Sequence, residues 1–320
     1  MKKNGFLRKV AILVLLIGAG LFWVYRYGPN VNVYLFPPSP QQYGTVILQK
    51  LDQFGLYAHG EKWDKSYKSS LRAIKKSSSY VETRKILSDS LSVAGGNHSS
   101  LWAKDDLNKA VQNNSFPETK LLDKETLYLK LPEFIGADEE QMAKYAKTIH
   151  KASQSNDVKQ VIVDLSNNRG GNMAPMLIGI TNLLPDGTLF TFESRDNQKT
   201  KVVLKNNSLK DHTMIDIGNI TKKKNIPVAI ITNENTASSG ELVALAFKGL
   251  KNVRYFGHAT AGYTSVNRSI YLYDGAVLNI TNARVISRDK VVYENQAILP
   301  NQETNEPIVA AQKWFKNLKN

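Results

Sequence analysis

Hydrophobic and polar positions follow different periods along the chain, and the changes of period divide it into segments. From residue 43 to 91 apolar residues recur at helical spacing, as Ile47, Leu48, Leu51 and Phe54 do. Polar connectors interrupt this pattern, so it predicts several short helices rather than one long one. We therefore predict a small helical cap over residues 41–94, ending where the glycine-rich turn Gly95 to Ser100 begins.

An uncharged apolar run from Val10 to Tyr25 precedes the cap, and basic residues stand before it. Such a run predicts an export signal, and the basic residues keep its amino end inside the cell. A cleaved signal peptide would end in small residues, whereas this run ends in bulky Phe22, Trp23, Val24 and Tyr25. We therefore favour an uncleaved transmembrane helix within residues 1–27 over a cleaved signal and secretion. A proline-rich stalk at 28–40 follows, and the rest lies outside the cytoplasm.

Beyond the cap, apolar runs alternate with helical patterns of 10 to 15 residues. This alternation predicts an α/β core over residues 95–310, which ends with a β-hairpin region and is followed by a tail at 311–320. The predicted strands are Thr126–Leu131, Gln160–Leu165 and Val228–Thr232, the predicted helices are Asp138–Ser153, Ala174–Leu184 and Ser239–Leu250, and the hairpin region is Ser269–Ser287.

The formal charge of +14 suggests a polyanion-binding protein, but five of the basic residues flank the apolar run and the longest basic block has three residues. No nucleic-acid-binding motif accompanies the charge, so we predict no nucleic-acid partner; binding to an anionic cell envelope is the remaining charge-driven hypothesis. The chain has no cysteine, which excludes disulfides and thiolate metal ligands. No histidine pair has helical ligand spacing and no phosphate-binding glycine pattern follows a strand, so we predict no metal and no cofactor.

One segment combines a buried strand, a tight turn and an apolar helix, from Ile226 to Leu250. Ser238 lies in the turn, at the amino end of the helix, where unpaired N–H groups favour developing negative charge. This position suits a serine nucleophile with an oxyanion hole. Taken alone, Ser238 with Glu241 also fits an ordinary capping box.

A second strand, from Val161, opens into a turn that ends with Gly170 and Gly171. Paired glycines allow backbone conformations that aim N–H groups into a cavity, as an oxyanion hole requires. A simple glycine turn after a strand is the alternative interpretation of this segment by itself.

Together the two segments resemble the C-terminal processing and tricorn-core serine peptidases, a branch of the ClpP/crotonase-like folds. Three stretches carry the resemblance: Asp164 to Gly171, Pro227 to Glu241, and Val292 to Asn301. The resemblance spans roughly residues 85 to 305. It implies a ClpP/crotonase-like core in which Ser238 is the nucleophile, with the N–H of Ser239 and that of Gly170 or Gly171 as oxyanion donors.

The family divides by its general base. One branch uses a lysine where this chain has Tyr263, so a serine–lysine dyad is not expected. The tricorn-like branch uses a histidine in a segment that Gly96 to Ser100 resembles, which implies His98 as the base. Glu294, in the third stretch, would then orient the imidazole, as in other triads. His258 is the one rival base, because it lies in the segment that flanks the site in the family.

The chain departs from the family pattern at Asn97, Ser166, Ala297 and Asn301, where Ser166 replaces a common arginine and none removes a catalytic group. Only about 25 residues separate Ser100 from Thr126, too few for the PDZ domain of many relatives. The resemblance implies a serine endopeptidase that acts on peptides or proteins. The alternative is a catalytically silent peptide-binding surface protein on the same fold.

Overall fold

Two apolar strands, Gln160–Asp164 and Val228–Thr232, are buried along their whole length in the computed structural model and pair in parallel. Both faces of such strands are covered, which is why their central residues are apolar. The structure describes residues 2–31, 33–205, 208–210, 215–218, 221–223 and 225–318. The outermost residues of the predicted ranges 1–27 and 311–320 lie outside this part.

The elements are numbered in chain order. The α-helices are α1 Lys2–Tyr27, α2 Pro40–Phe54, α3 Gly60–Ile74, α4 Tyr80–Gly95, α5 Lys104–Gln112, α6 Glu139–Ser153, α7 Met173–Gly179, α8 Ser239–Ala246 and α9 Pro307–Asn317, with 3₁₀ turns at Gly28–Val31 and Thr181–Leu183. The strands are β1 Ser100–Trp102, β2 Glu118–Leu121, β3 Thr126–Lys130, β4 Gln160–Asp164, β5 Gly187–Ser194, β6 Lys199–Lys205, β7 Ser208–Leu209, β8 Val228–Thr232, β9 Val253–Gly257, β10 Ser265–Tyr271, β11 Val277–Ser287, β12 Val292–Tyr293 and β13 Gln302–Glu303.

The chain folds into two compact units. The first contains residues 1–107 together with 267–281, and the second contains 108–266 with 282–320. In the first unit, α2, α3 and α4 pack around a shared apolar cluster. Four residues of the segment 267–281 join that cluster: Leu272, Ala276, Leu278 and Ile280. The sequence pattern assigns this hairpin to the core, but its apolar side chains are buried among the cap helices.

Helix α1 in the first unit contains a 20-residue stretch, Arg8–Tyr27, which is long and apolar enough to cross a membrane. Its large apolar side chains are exposed. By length and composition alone it fits a membrane span or an export signal.

The second unit is built on a sheet with the strand order β13-β9-β8-β4-β3-β2, in which only β2 is antiparallel to its neighbour. Alternate residues of β4 and β8 contribute to two different clusters. Val161, Val163 and Ile230 pack with α6, α7 and α8, while Ile162 and Ile231 pack with α9. The parallel strands alternating with helices confirm the α/β prediction.

A second, antiparallel strand group in this unit joins β5, β6 and β7, and the later half of β11 pairs with β5. The sequence pattern does not predict the β5–β6 hairpin. The predicted helix at 174–184 is shorter than expected, because α7 ends at Gly179 and a 3₁₀ turn follows. A Cβ at Gly179 would lie 3.0 Å from Cβ of Ile149 and 3.3 Å from Cα of Ala146, so α6 packs tightly against this position.

Candidate active site

Two turns lie at the carboxyl ends of the neighbouring parallel strands β4 and β8, and hydrogen bonds join them. The hydroxyl of Thr236 donates to the carbonyl of Leu165 at 2.9 Å, and Ala237 N–H donates to the carbonyl of Asn168 at 2.9 Å. Since ligands bind beyond the carboxyl ends of strands in open α/β sheets, this edge is where a site is expected. The two turns are those that the sequence analysis singled out.

Ser238 has a backbone conformation that non-glycine residues rarely adopt. Its φ is 52° and its ψ is −119°, whereas an ordinary N-cap residue lies in the extended region. The capping box is nevertheless present, because Ser238 N–H donates to Oε2 of Glu241 at 3.0 Å. A serine in a strained turn between a strand and a helix is the arrangement that exposes a nucleophilic hydroxyl.

Gly170 lies directly against Ser238. A Cβ built on Gly170 would be 2.7 Å from Cβ of Ser238, 3.1 Å from its Oγ and 3.0 Å from the backbone nitrogen of Ser239. Gly170 also has a positive φ of 111°. The glycine therefore keeps open the space beside both the hydroxyl and the amide of Ser239.

The amides near Ser238 differ in whether they are already bonded. Gly170 N–H donates to Oδ1 of Asn168 at 2.9 Å. The N–H groups of Gly171 and Ser239 have no acceptor among the residues that the structure describes. The hydroxyl of Ser239 donates to the carbonyl of Gly171 at 2.6 Å and joins the two turns. The structure thus leaves two amides available to bind an oxyanion, one from each turn.

The carboxyl of Glu241 is fully buried behind Ser238. Besides the Ser238 amide, it accepts from Gly262 N–H at 2.9 Å, from the hydroxyl of Thr260 and from the amide of Tyr263. Burial raises the pKa of Glu241 to about 7, although these four hydrogen bonds favour the ionised form and hold the pKa down. From the sequence, Glu241 is part of a capping box with Ser238 and the last residue of a stretch that resembles the family. Its contacts with residues 260–263 could not be predicted from the sequence.

A partly buried ammonium group supports the other turn. Nζ of Lys130 lies 3.2 Å from Oδ1 of Asp164 and donates to the carbonyl and hydroxyl of Ser166 at 2.7 and 2.6 Å. The Asp164 carboxylate also accepts from the hydroxyl of Tyr128 at 2.6 Å. Ser166 occupies the position of the arginine in the family pattern, and Lys130 from β3 brings a positive charge to that place.

Glu294 lies beside a different charged group. Its Oε2 is 3.6 Å from Nη1 of Arg284, whose Nε donates to Glu193 at 2.7 Å. Asn295, the next residue, has a φ of 54° and accepts a hydrogen bond from the hydroxyl of Ser265 at 2.8 Å.

His98 belongs to the first unit, in the turn after α4. Gly96 ends that helix with a φ of 70°. The carbonyl of His98 accepts from Nδ2 of Asn267 at 2.8 Å, and Asn267 accepts from Thr281 at 2.8 Å, so both ends of the hairpin hold the turn. The residue is only 9% exposed, and burial lowers the pKa of the imidazole to about 4. It is therefore neutral near pH 7, as a general base must be.

The rival base, His258, is in a different environment. Its Nε2 is 2.9 Å from Oδ1 of Asn305 and its Nδ1 is 3.3 Å from Glu303. The hydrogen bond with Asn305, followed by that with Glu303, raises its pKa. The imidazole is half-exposed, and both of its ring nitrogens already have hydrogen-bond partners. Among the described residues, no cluster of three or more acidic, histidine or cysteine side chains could hold a metal ion.

Within the second unit the structure brings together Ser238, Ser239, Gly170 and Gly171, and it places Glu294 beside Arg284. The arrangement around Ser238 is suited to acyl transfer, because a half-buried hydroxyl in a strained turn adjoins the amide of Ser239.

Comparison with protein families and known proteins agrees with this chemistry. Residues 125–304 match the model of peptidase family S41. The chain is 37% identical over 316 residues to the nisin-resistance protein of Lactococcus lactis, and the match covers 98% of both chains.

Two solved structures extend the likeness to three dimensions. A structure of a lipoprotein from Streptococcus agalactiae is 38% identical, covers 89% of this chain and 99% of its own, and gives a TM-score of 0.81. A crystal structure from Parabacteroides merdae is 19% identical over 88% of this chain and 97% of its own, with a TM-score of 0.54, and so shares the fold.

Proposed function

This chain belongs to peptidase family S41, and we propose that it is a membrane-anchored, extracellular serine endopeptidase with Ser238 as its nucleophile. The observation that carries the proposal is the strained turn at Ser238, with Gly170 directly against its hydroxyl and against the amide nitrogen of Ser239. We assign the core to the ClpP/crotonase-like architecture, which its parallel sheet between helical layers supports.

In this mechanism His98 removes the proton from Ser238 while Oγ attacks the carbonyl carbon of the scissile peptide bond. The oxyanion that forms is bound by the amides of Ser239 and Gly171. The tetrahedral intermediate collapses, the peptide C–N bond breaks, and His98 gives its proton to the leaving amine. Water then attacks the acyl-enzyme by the same route in reverse, releasing the acid and restoring the hydroxyl. Glu294 would fix the tautomer of His98 and stabilise its cationic form.

The substrate we propose is a peptide of the nisin type, on the strength of the 37% identical nisin-resistance protein. The anchor we propose is helix α1, a single span that leaves the rest of the chain outside the cell. A cysteine-linked lipid is excluded as the anchor, because the chain has no cysteine.

Activated-serine labelling tests the function. The full-length chain in detergent micelles is treated with a fluorophosphonate probe, and we expect wild type to be labelled while Ser238→Ala is not. Incubation with nisin should give fragments that mass spectrometry detects for wild type only. If neither labelling nor cleavage occurs but the peptide still binds, the chain is instead the silent peptide-binding protein.

Two further variants test the roles of the partners. His98→Ala should lower labelling as severely as Ser238→Ala, because the hydroxyl then has no base. Glu294→Gln should retain a larger part of the activity, since it affects only the orientation of the base.

A further inference from the structure

Glu241 is a buried carboxyl to which the proposed mechanism assigns no role. It lies one turn into α8, is 0% exposed, and accepts hydrogen bonds on both oxygens. Oε2 receives the amide of Ser238, while Oε1 receives the Gly262 amide and the Thr260 hydroxyl. An ordinary capping box needs only the first of these bonds, so the others indicate a further purpose.

The carboxyl joins Ser238 to a second chain segment. The hydroxyl oxygen of Thr260 also accepts from Ile298 N–H at 2.8 Å, and Ala261 N–H donates to the carbonyl of Thr236 at 2.9 Å. The turn that carries Ser238 and the loop 260–263 are therefore fixed to each other by the Glu241 carboxyl and by one backbone hydrogen bond. The hydrogen bond to Glu241 holds the amide of Ser238 in place. The backbone conformation of Ser238 is strained and persists only where the surrounding structure enforces it.

We propose that Glu241 is a positioning residue that holds Ser238 in its strained, reactive conformation as long as its carboxyl is ionised. This inference rests on the proposed function. An ionised carboxylate only accepts hydrogen bonds, so it satisfies all four donors at once. A protonated carboxyl must donate from one oxygen, and one of those bonds is then weakened or lost. Protonation of Glu241 should therefore release the nucleophile turn from the loop.

The surroundings support a role near neutral pH. The groups that face the carboxyl from the Ser238 turn and from loop 260–263 are three amides and one hydroxyl, none of them charged. Burial raises the pKa of Glu241 to about 7, whereas burial lowers that of His98 to about 4. As the pH is lowered, protonation of Glu241 would reduce activity near pH 7, and protonation of His98 would do so only near pH 4.

The test measures the fluorophosphonate labelling rate of the full-length chain in micelles from pH 4 to 9. As the pH is lowered, we expect the labelling rate of wild type to fall to half its maximum near pH 7, where Glu241 takes up a proton, rather than near pH 4, where His98 does. Glu241→Gln keeps the shape of the side chain but cannot be ionised, so its labelling should be slower by about 10- to 100-fold, with no change between pH 6 and 8. Glu234→Gln, an exposed residue of the same turn, is the matched control and should behave as wild type.

Thr260→Val gives a second test that does not depend on how well the glutamine variant folds. It removes a donor that favours the ionised carboxyl, so the midpoint of the pH profile should move to higher pH. A glutamine variant that labels at the wild-type rate with the wild-type profile would overturn the inference, as would an unmoved midpoint in Thr260→Val. If wild type itself is never labelled, the proposed function fails and the inference fails with it.

Discussion

Gly170 and Ser238 are in such close contact that a single added carbon atom would collide: a Cβ on Gly170 would lie 2.7 Å from Cβ of Ser238. The contact joins the turn after β4 to the turn after β8, and it leaves the serine hydroxyl and the Ser239 amide facing a common space. The proximity of these two turns places the candidate nucleophile next to the amide of Ser239, which we propose as an oxyanion donor. Replacing the glycine should therefore affect the chemistry more than the fold.

Gly170→Ala is expected to lower the fluorophosphonate labelling rate by about 100-fold, because the methyl group displaces Ser238 from its reactive position. Gly170 has a φ of 111°, which strains any residue other than glycine. The alanine variant should therefore also have a free energy of unfolding lower by about 1–3 kcal/mol. Gly187→Ala is the matched control, since Gly187 has a φ of 125° but no atom within 4 Å of its Cβ position. Gly187→Ala should lower the free energy of unfolding but leave the labelling rate unchanged. If Gly170→Ala and wild type are labelled at the same rate, the assignment of Ser238 as the nucleophile is contradicted.

The membrane anchor can be tested by placing charge in α1. Two arginines, in a Leu15→Arg, Leu16→Arg variant, should prevent stable insertion, since each costs about 2.5–3.5 kcal/mol at the centre of a span. Wild type should remain in the membrane fraction of bacterial cells after an alkaline wash, with residue 1 at its amino end. Val81→Arg, on the exposed side of α4, should not change the distribution. Recovery of wild type from the medium with a new amino end would show that the signal is cleaved.

The elements that could be predicted from the sequence are those with the most regular apolar patterns. The strand Val228–Thr232 was predicted with its observed bounds, and the helix at Asp138 begins one residue later than predicted because Asp138 caps it. The β5–β6 hairpin was missed, because its exposed face is polar and its pairing depends on contacts that no local pattern records.

The site was predictable to the same extent. Ser238, Gly170 and Gly171 could be nominated because each follows an apolar strand directly. The supporting groups could not, since Glu241 meets a loop about twenty residues further along and Lys130 meets a turn thirty-six residues away. Such contacts depend on the register of the parallel sheet, which sequence spacing does not reveal. The roles of His98 and Glu294 stay predictions.

Lys130→Met should destabilise the turn that carries Gly170 and Gly171. It removes the cation beside the buried carboxylate of Asp164, and we expect the free energy of unfolding to fall by about 2–3 kcal/mol. Thermal unfolding of the full-length chain measures this change. Lys65→Met, which breaks the exposed pair with Glu61, should cost no more than about 0.5 kcal/mol.

The family pattern offers a rescue for this variant. Adding Ser166→Arg to Lys130→Met places a guanidinium where the pattern has arginine, and it should recover part of both the melting temperature and the labelling rate. A Lys130→Met variant as stable as wild type would show that the ammonium group is not needed to balance Asp164.

Stability at acid pH provides a test of the burial of His98 that does not depend on catalysis. Above about pH 6.5 the imidazole is neutral in both the folded and unfolded states, so it makes no pH-dependent contribution. Between that pH and the folded pKa of about 4, only the unfolded state takes up the proton. Unfolding is therefore favoured as the pH falls, by up to about 3 kcal/mol.

His98→Gln removes this dependence, so its stability relative to wild type should rise as the pH is lowered from 7 to 4. Glu241 contributes with the opposite sign, because its raised pKa of about 7 stabilises the folded state as the pH falls towards its unfolded value of 4.5. The contribution of Glu241 is common to both proteins and cancels in the difference. Urea unfolding at several pH values measures this difference, with the exposed His59→Gln as the control. A constant difference between His98→Gln and wild type would mean that the imidazole is not buried as the structure describes.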